Sequence, residues 1–168
     1  QGNLATSMPE MSKDGLTYTF KILPGVKFQD DAAFPSGKGR EVVAADFVYS
    51  LKRLADSKNL SDGWWVLDGK LVGLNEWREK NAKLPATNYD EEVEGLKAID
   101  THTLQFKLKK PFPQFLYSLA MPYTYVVAKE VVEKYAPKEL IDLWFKAEGS
   151  DKSFKDLVKE NATEEEED

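Results

Sequence analysis

Reactive side chains are scarce in this sequence. It holds one histidine, His102, and no cysteine, which removes disulfides, thiolate metal sites and cysteine nucleophiles. A Ser–His couple would have to use His102. Asp100-Thr101-His102-Thr103 reads as a tight turn, where a polar residue is the ordinary occupant. Gly37-Lys38-Gly39-Arg40 has the composition of a phosphate cradle, but no strand precedes it and no G-K-[ST] follows, so it reads as a basic loop. Asp90, Glu91, Glu92 and Glu94 lack the spacing and central glycine of a calcium loop. Like Glu164 to Glu167, they read as a solvated acidic segment. No nucleophile, base and orienting group can be assembled. The expectation is a protein that is not an enzyme, with no catalytic residue, no metal ligand and no cofactor.

The remaining candidates are aromatic. Trp64 and Trp65 are adjacent and follow Gly63, outside any clear periodic run. Neighbouring side chains point apart on a strand and diverge by about 100° on a helix. At least one of the two is therefore expected to face a cleft, a partner domain or solvent, where an indole is a platform for an apolar or peptide ligand. The alternative is that both pack, one in the core and one under the neighbouring loop. Trp77 and Trp144 lie on apolar helix faces and read as core.

The elements that must position these residues follow from hydrophobic spacing. The chain has 168 residues, 42% of them hydrophobic, with seven Tyr and nine Phe beside the four Trp, and a net charge of −6. That is enough apolar area for one domain core and excludes a disordered chain. The acidic balance argues against a nucleic-acid partner, and no run of about 18 apolar residues is present to span a membrane. Leu16, Tyr18, Phe20 and Ile22 alternate with Thr17, Thr19 and Lys21, predicting a half-buried strand between two turns. Val43, Phe47, Leu51 and Leu54 predict a helix over 44–56, with Asp46 in its first turn and Lys52 and Arg53 near its end. Residues 57–64 read as a polar loop and 69–81 as a second helix. A hairpin of 96–99 and 104–108 follows, with Leu104, Phe106 and Leu108 on one face. Pro111 and Pro113 open a short helix carrying Phe115, Leu116 and Leu119. Residues 123–127 read as extended and 129–135 as helical. Two further helices are expected around 140–145 and 154–158. Hairpin-linked strands in irregular order with helices favour an α+β fold, a small antiparallel sheet packed with several helices, over a doubly wound sheet.

Three ordered blocks carry a family resemblance. Asp14-Gly15-Leu16-Thr17-Tyr18-Thr19-Phe20-Lys21-Ile22-Leu23-Pro24-Gly25-Val26-Lys27-Phe28 resembles the D-G-x-T-Y-T-F-x-L-x-x-G-V-x-F run of the family 5 extracellular solute-binding proteins, the oligopeptide, dipeptide and nickel receptors of ABC importers. Ala45 to Leu54 resembles their A-x-D-V-x-x-S-x-x-R helix, and Gly95 to Leu104 their G-V-K-A-x-D-x-x-T hairpin. Pro111 and Pro113 match the proline pair that opens the next helix. Two departures stand out: the usual F-x-D-G turn is Phe28-Gln29-Asp30-Asp31, and the loop to Asp46 is longer than usual.

The resemblance implies an excised domain of a periplasmic-binding-protein-type receptor: the additional domain that larger members pack on their first lobe, here residues 4–136. Residues 137–168 would be a helical extension or insertion with an acidic tail. The opening residues read as interior to a longer protein. A non-enzymatic role follows, walling the cavity for a peptide or other small solute, with Trp64 and Trp65 as the ligand-facing residues. The partners implied are the solute, the ABC permease and the missing lobes of the same chain. The implied location is periplasmic or extracellular, with or without a lipid anchor on the outer face of a membrane. The competing reading is an interaction module that docks the receptor to a partner protein or permease without touching ligand.

Overall fold

The alternating segment at 16–22 does form a strand, and it lies inside the sheet. A computed structural model of the protein describes residues 4–135. Strands β1 (Glu10–Met11), β2 (Thr17–Lys21), β3 (Leu96–Asp100) and β4 (Thr103–Lys107) form one antiparallel sheet in the order β1-β2-β4-β3. Tyr18 sits opposite Phe106 and Phe20 opposite Leu104, while Leu96 sits opposite Phe106 from the other side. The period of two thus places Tyr18, Leu96, Leu104 and Phe106 on one buried face. Phe106 meets Phe20 and Phe115 edge-on, at centroid distances of 5.6 and 5.3 Å, the geometry favoured by ring quadrupoles. The sheet, its hairpin and the helices on it make the α+β fold that the spacing predicts.

Helix α1 (Ala44–Ala55) covers that face with Leu51, Leu54 and Ala55. Its start is held by charge. Asp46 in the first turn is 4% exposed, and its carboxylate accepts from the Val43 N–H at 2.9 Å and from both Nη atoms of Arg40 at 2.9 and 2.7 Å. An acid there satisfies a free backbone donor and complements the helix dipole. Arg40 also lies 5.3 Å over the Phe28 ring, which stacks on Phe34. The long loop after Phe28 is therefore packed on itself, and its ends are joined by Phe28 N–H to Arg40 O and Val42 N–H to Val26 O.

The far end of α1 is stitched to the segment before the hairpin. Lys52, 3% exposed, donates from Nζ to the carbonyls of Tyr89 and Glu91 at 2.7 and 2.6 Å, and burial pushes its ammonium below the usual lysine range. The Tyr89 hydroxyl donates to Asp56 at 2.7 Å; burial and that carboxylate push the phenol well above its ordinary value.

Helix α2 (Leu74–Ala82) starts later than the 69–81 expected from spacing. Residues before it are engaged elsewhere: Leu71 bridges Leu108, Val72 N–H donates to Lys107 O, and Gly95 N–H donates to Val72 O. At Gly95 a Cβ would lie 2.5 Å from the Val72 nitrogen, so this crossing needs glycine. Trp77 is core, at 3% exposed. The short α3 (Phe115–Leu119) follows the prolines as expected. Residues 123–127 differ from the extended reading, because Pro122–Thr124 winds as a single 3-10 turn before the chain extends. Val127 N–H then docks on Ser50 Oγ of α1 at 2.9 Å. Helix α4 (Lys129–Tyr135) matches its expected span. Residues 4–129 of the described part belong to one compact unit and the rest of α4 to a second. The helices expected near 140–145 and 154–158, and Trp144, lie outside the described residues.

Two outcomes follow. Replacing Asp46 with Ala removes a partner from Arg40 and from the helix start, and is expected to cost about 2–3 kcal/mol in urea unfolding. On the acid side, the Gly25 N–H holds the Glu41 carboxyl below its ordinary 4.5, Lys80 and Lys107 do the same for Glu91 and Glu94, and Lys38 holds Asp30 below 3.8. With folded values depressed, their contribution is complete above pH 4.5 and is lost as pH falls through those lowered values. Melting temperature measured against pH should therefore begin to fall below about that point; a flat profile down to pH 3 would show that these contacts add nothing.

Candidate functional site

The two tryptophans open a single 3-10 turn, Trp64–Val66. The residues just after them anchor it: Val66 and Leu67 have no exposed surface, and their N–H groups close on Gly63 O and Trp64 O at 3.0 Å each. With Val66 and Leu67 aimed into the core, the preceding pair diverges. Trp64 packs half-buried against the core, and the Arg78 guanidinium lies 4.7 Å from its ring centroid. Trp65 turns outward and is 55% exposed. One tryptophan of the pair thus faces solvent, as adjacency predicts, and the other is largely packing.

Trp65 is not alone at the surface. Its ring meets the edge of Tyr123 at 6.4 Å and 75°, and Tyr123 and Tyr125 are themselves 47% and 68% exposed. The meeting depends on Gly63, since a Cβ there would lie 2.5 Å from the Tyr123 ring. Tyr123 was not singled out by sequence reasoning, because nothing local links it to a turn sixty residues earlier. The available signal was Gly63 itself, a residue with no side chain placed directly before two large ones.

Lysine and arginine border the pair. Lys70 donates from Nζ to the Trp65 carbonyl at 2.8 Å and lies 5.5 Å from the Phe112 ring. Arg78 donates from Nη1 to the Ala55 carbonyl. The surface so built is aromatic, with cations at its base, and it holds no acid–base couple aimed at a common point. It is suited to stacking and to apolar contact.

The other residues weighed in the sequence are placed elsewhere. His102 sits in the β3–β4 turn, with its N–H on Asp100 Oδ1 and its Nε2 3.0 Å from Glu41. Lys38 of the basic loop pairs with Asp30 at 2.7 Å. Glu91 and Glu94 pair with Lys80 and Lys107, and among the described residues no group of three His, Cys, Asp or Glu is arranged to hold a metal ion. No described helix is long and apolar enough to cross a membrane.

Comparison with known proteins gives a consistent picture. The family model for bacterial extracellular solute-binding proteins, family 5 middle, matches residues 1–159. Oligopeptide-binding protein AmiA of Streptococcus pneumoniae serotype 4 is 39% identical over 129 residues, which is 72% of this chain and 18% of AmiA. Periplasmic oligopeptide-binding protein OppA of Escherichia coli K12 is 34% identical over 128 residues, 76% of this chain and 21% of OppA. Among solved structures, the substrate-binding domain of an oligopeptide ABC transporter from Bacillus anthracis str. Ames superposes with a TM-score of 0.65 at 28% identity, over 82% of this chain and 23% of that one. The chain thus spans 18% and 21% of the lengths of the two curated relatives.

The glycine contact is open to test. Gly63→Ala is expected to destabilise the chain by about 1–3 kcal/mol, because the Tyr123 ring must move. Adding Tyr123→Ala should recover part of that loss, giving a non-additive cycle in urea unfolding. Strict additivity would show that the two residues do not meet.

Proposed function

Because the chain belongs to the family 5 bacterial extracellular solute-binding proteins, we propose that it is the additional domain of a receptor that hands peptide-like solutes to an ABC importer. In this reading residues 4–136 are the domain, and 137–168 an extension or insertion that follows it. The domain does no chemistry on the solute. It walls one end of a cavity whose remaining sides are lobes of the same receptor, which close over the solute by a hinge outside this segment. The names of AmiA and OppA, both oligopeptide-binding proteins, support a peptide as the solute class. A periplasmic or extracellular location, and a permease as the downstream partner, go with that role.

The observation that carries the reading is Trp65, 55% exposed on a turn that Val66 and Leu67 pin to the core. A large indole held rigidly in water offers contact area at little entropic cost. An extended peptide laid against it would gain stacking and apolar contact, while its main chain would be read by the lobes. Tyr123 extends the same surface. Trp64 acts from behind, fixing the turn through its packing and through Arg78.

In a full-length receptor containing this domain, Trp65→Ala is expected to weaken peptide affinity by about 5- to 30-fold in calorimetry, as for a central aromatic contact. Trp64→Ala should lower stability more than affinity. If Trp65→Ala leaves affinity unchanged but impairs uptake, the surface docks a partner protein or permease instead. If it changes neither, the tryptophan turn has no part in transport.

A further inference from the structure

Ring-to-ring contacts in the described chain come with a third member. Phe106 meets Phe20 and Phe115, and Tyr18 joins them through Phe115. Tyr89 meets both Tyr49 and Trp77, with Lys52 over the Trp77 ring. Phe28 and Phe34 meet alone, and there Arg40 covers Phe28. Trp65 and Tyr123 are the exception. They meet each other, and among the described residues no other ring and no cation lies on either. The neighbouring Trp64 ring already carries Arg78, at 4.7 Å from its centroid.

The open pair has a definite shape. Its ring planes stand 75° apart, so the two side chains form a corner, and about half of each is in water. Tyr123 is seated on Gly63, where no side chain intervenes. Next to it, Thr124 Oγ1 donates to the Leu119 carbonyl at 2.8 Å. A ring face is negative and its rim positive. A corner of two rings is therefore electrostatically complementary to a flat group that offers its rim to one face while it packs on the other. The core holds a completed version: Tyr18 and Phe106 are cross-strand neighbours, and Phe115 packs on both at 5.3 Å, tilted by 57° and 74°. A saturated side chain of the same size would gain apolar contact at such a corner but no match of rim to face. Ring faces also attract cations, but the Lys70 ammonium donates to the Trp65 carbonyl at 2.8 Å and disfavours a second positive charge beside it.

We propose that the Trp65–Tyr123 corner is a side-chain subsite that prefers an aromatic residue of a peptide-like solute. This rests on the ligand-wall reading above and adds to it a preference among side chains.

The test uses the 168-residue chain itself and the indole N–H signal of Trp65 in NMR, identified by its loss in Trp65→Phe. The probes are peptides acetyl-Ala-Ala-X-Ala-Ala-amide at millimolar concentration, with X as phenylalanine, cyclohexylalanine, arginine or alanine. The phenylalanine peptide should shift the Trp65 signal at about 2- to 10-fold lower concentration than the cyclohexylalanine peptide, the size of one aromatic pair beyond its apolar area. That gap should close in Tyr123→Ala and persist in Tyr123→Phe, which keeps the ring. Should Tyr123→Ala fail to fold, Tyr123→Leu takes its place, and a gap unchanged without the tyrosine ring overturns the assignment to the corner. Equal responses to phenylalanine and cyclohexylalanine remove the aromatic preference and leave the wall. A stronger response to the arginine peptide than to phenylalanine overturns the preference in favour of a cation. No response of Trp65 to any of the four removes the wall and the preference together.

Discussion

Burial of Val66 and Leu67 constrains everything at the candidate site. Two consecutive apolar residues with no exposed surface set the direction of the 3-10 turn. A one-turn helix has too few residues to let the two preceding side chains share that direction. Trp65 is thereby exposed as a by-product of core packing, and Trp64 is caught between core and surface. The indole in solvent is energetically unfavourable by itself. It persists because rotating the turn to hide it would expose Val66 and Leu67, which together bury more.

Charge plays a different part at each end of α1. At its start, the Arg40–Asp46 pair joins the long loop to the helix, and Asp46 also caps a backbone donor. At its finish, Lys52 donates to two backbone carbonyls, so the segment holding Tyr89 is drawn under the helix by a single ammonium. Buried charges of this kind are retained only where hydrogen bonds satisfy them, and here they fix loop positions that hydrophobic packing alone would leave free.

The sheet, α1 and the tryptophan turn share one buried apolar cluster. Trp65, Tyr123 and Tyr125 are among the large apolar side chains left exposed outside it. In the proposed role, solute recognition is a matter of a few side chains displayed on this frame.

Much of this was legible in the residues. The alternation of Tyr18, Phe20, Leu104 and Phe106 determined two strands and their buried face, because a period of two has one solution once a core exists. Asp46, Phe47, Leu51 and Leu54 determined α1, and the adjacency of Trp64 and Trp65 was enough to say that their rings must part. Which of them would face water was decided only by tertiary structure, through the burial of the two residues that follow. The same holds for the late start of α2, where Leu71 and Val72 are claimed by backbone bonds to β4 and its neighbours, and for the short strand Glu10–Met11, which has no hydrophobic alternation and exists because β2 offers it an edge. Tyr123 came to Trp65 across sixty residues of chain through a glycine that makes room. Local periodicity encodes which side of an element is apolar; it carries no information about which distant backbone or ring will arrive to meet it.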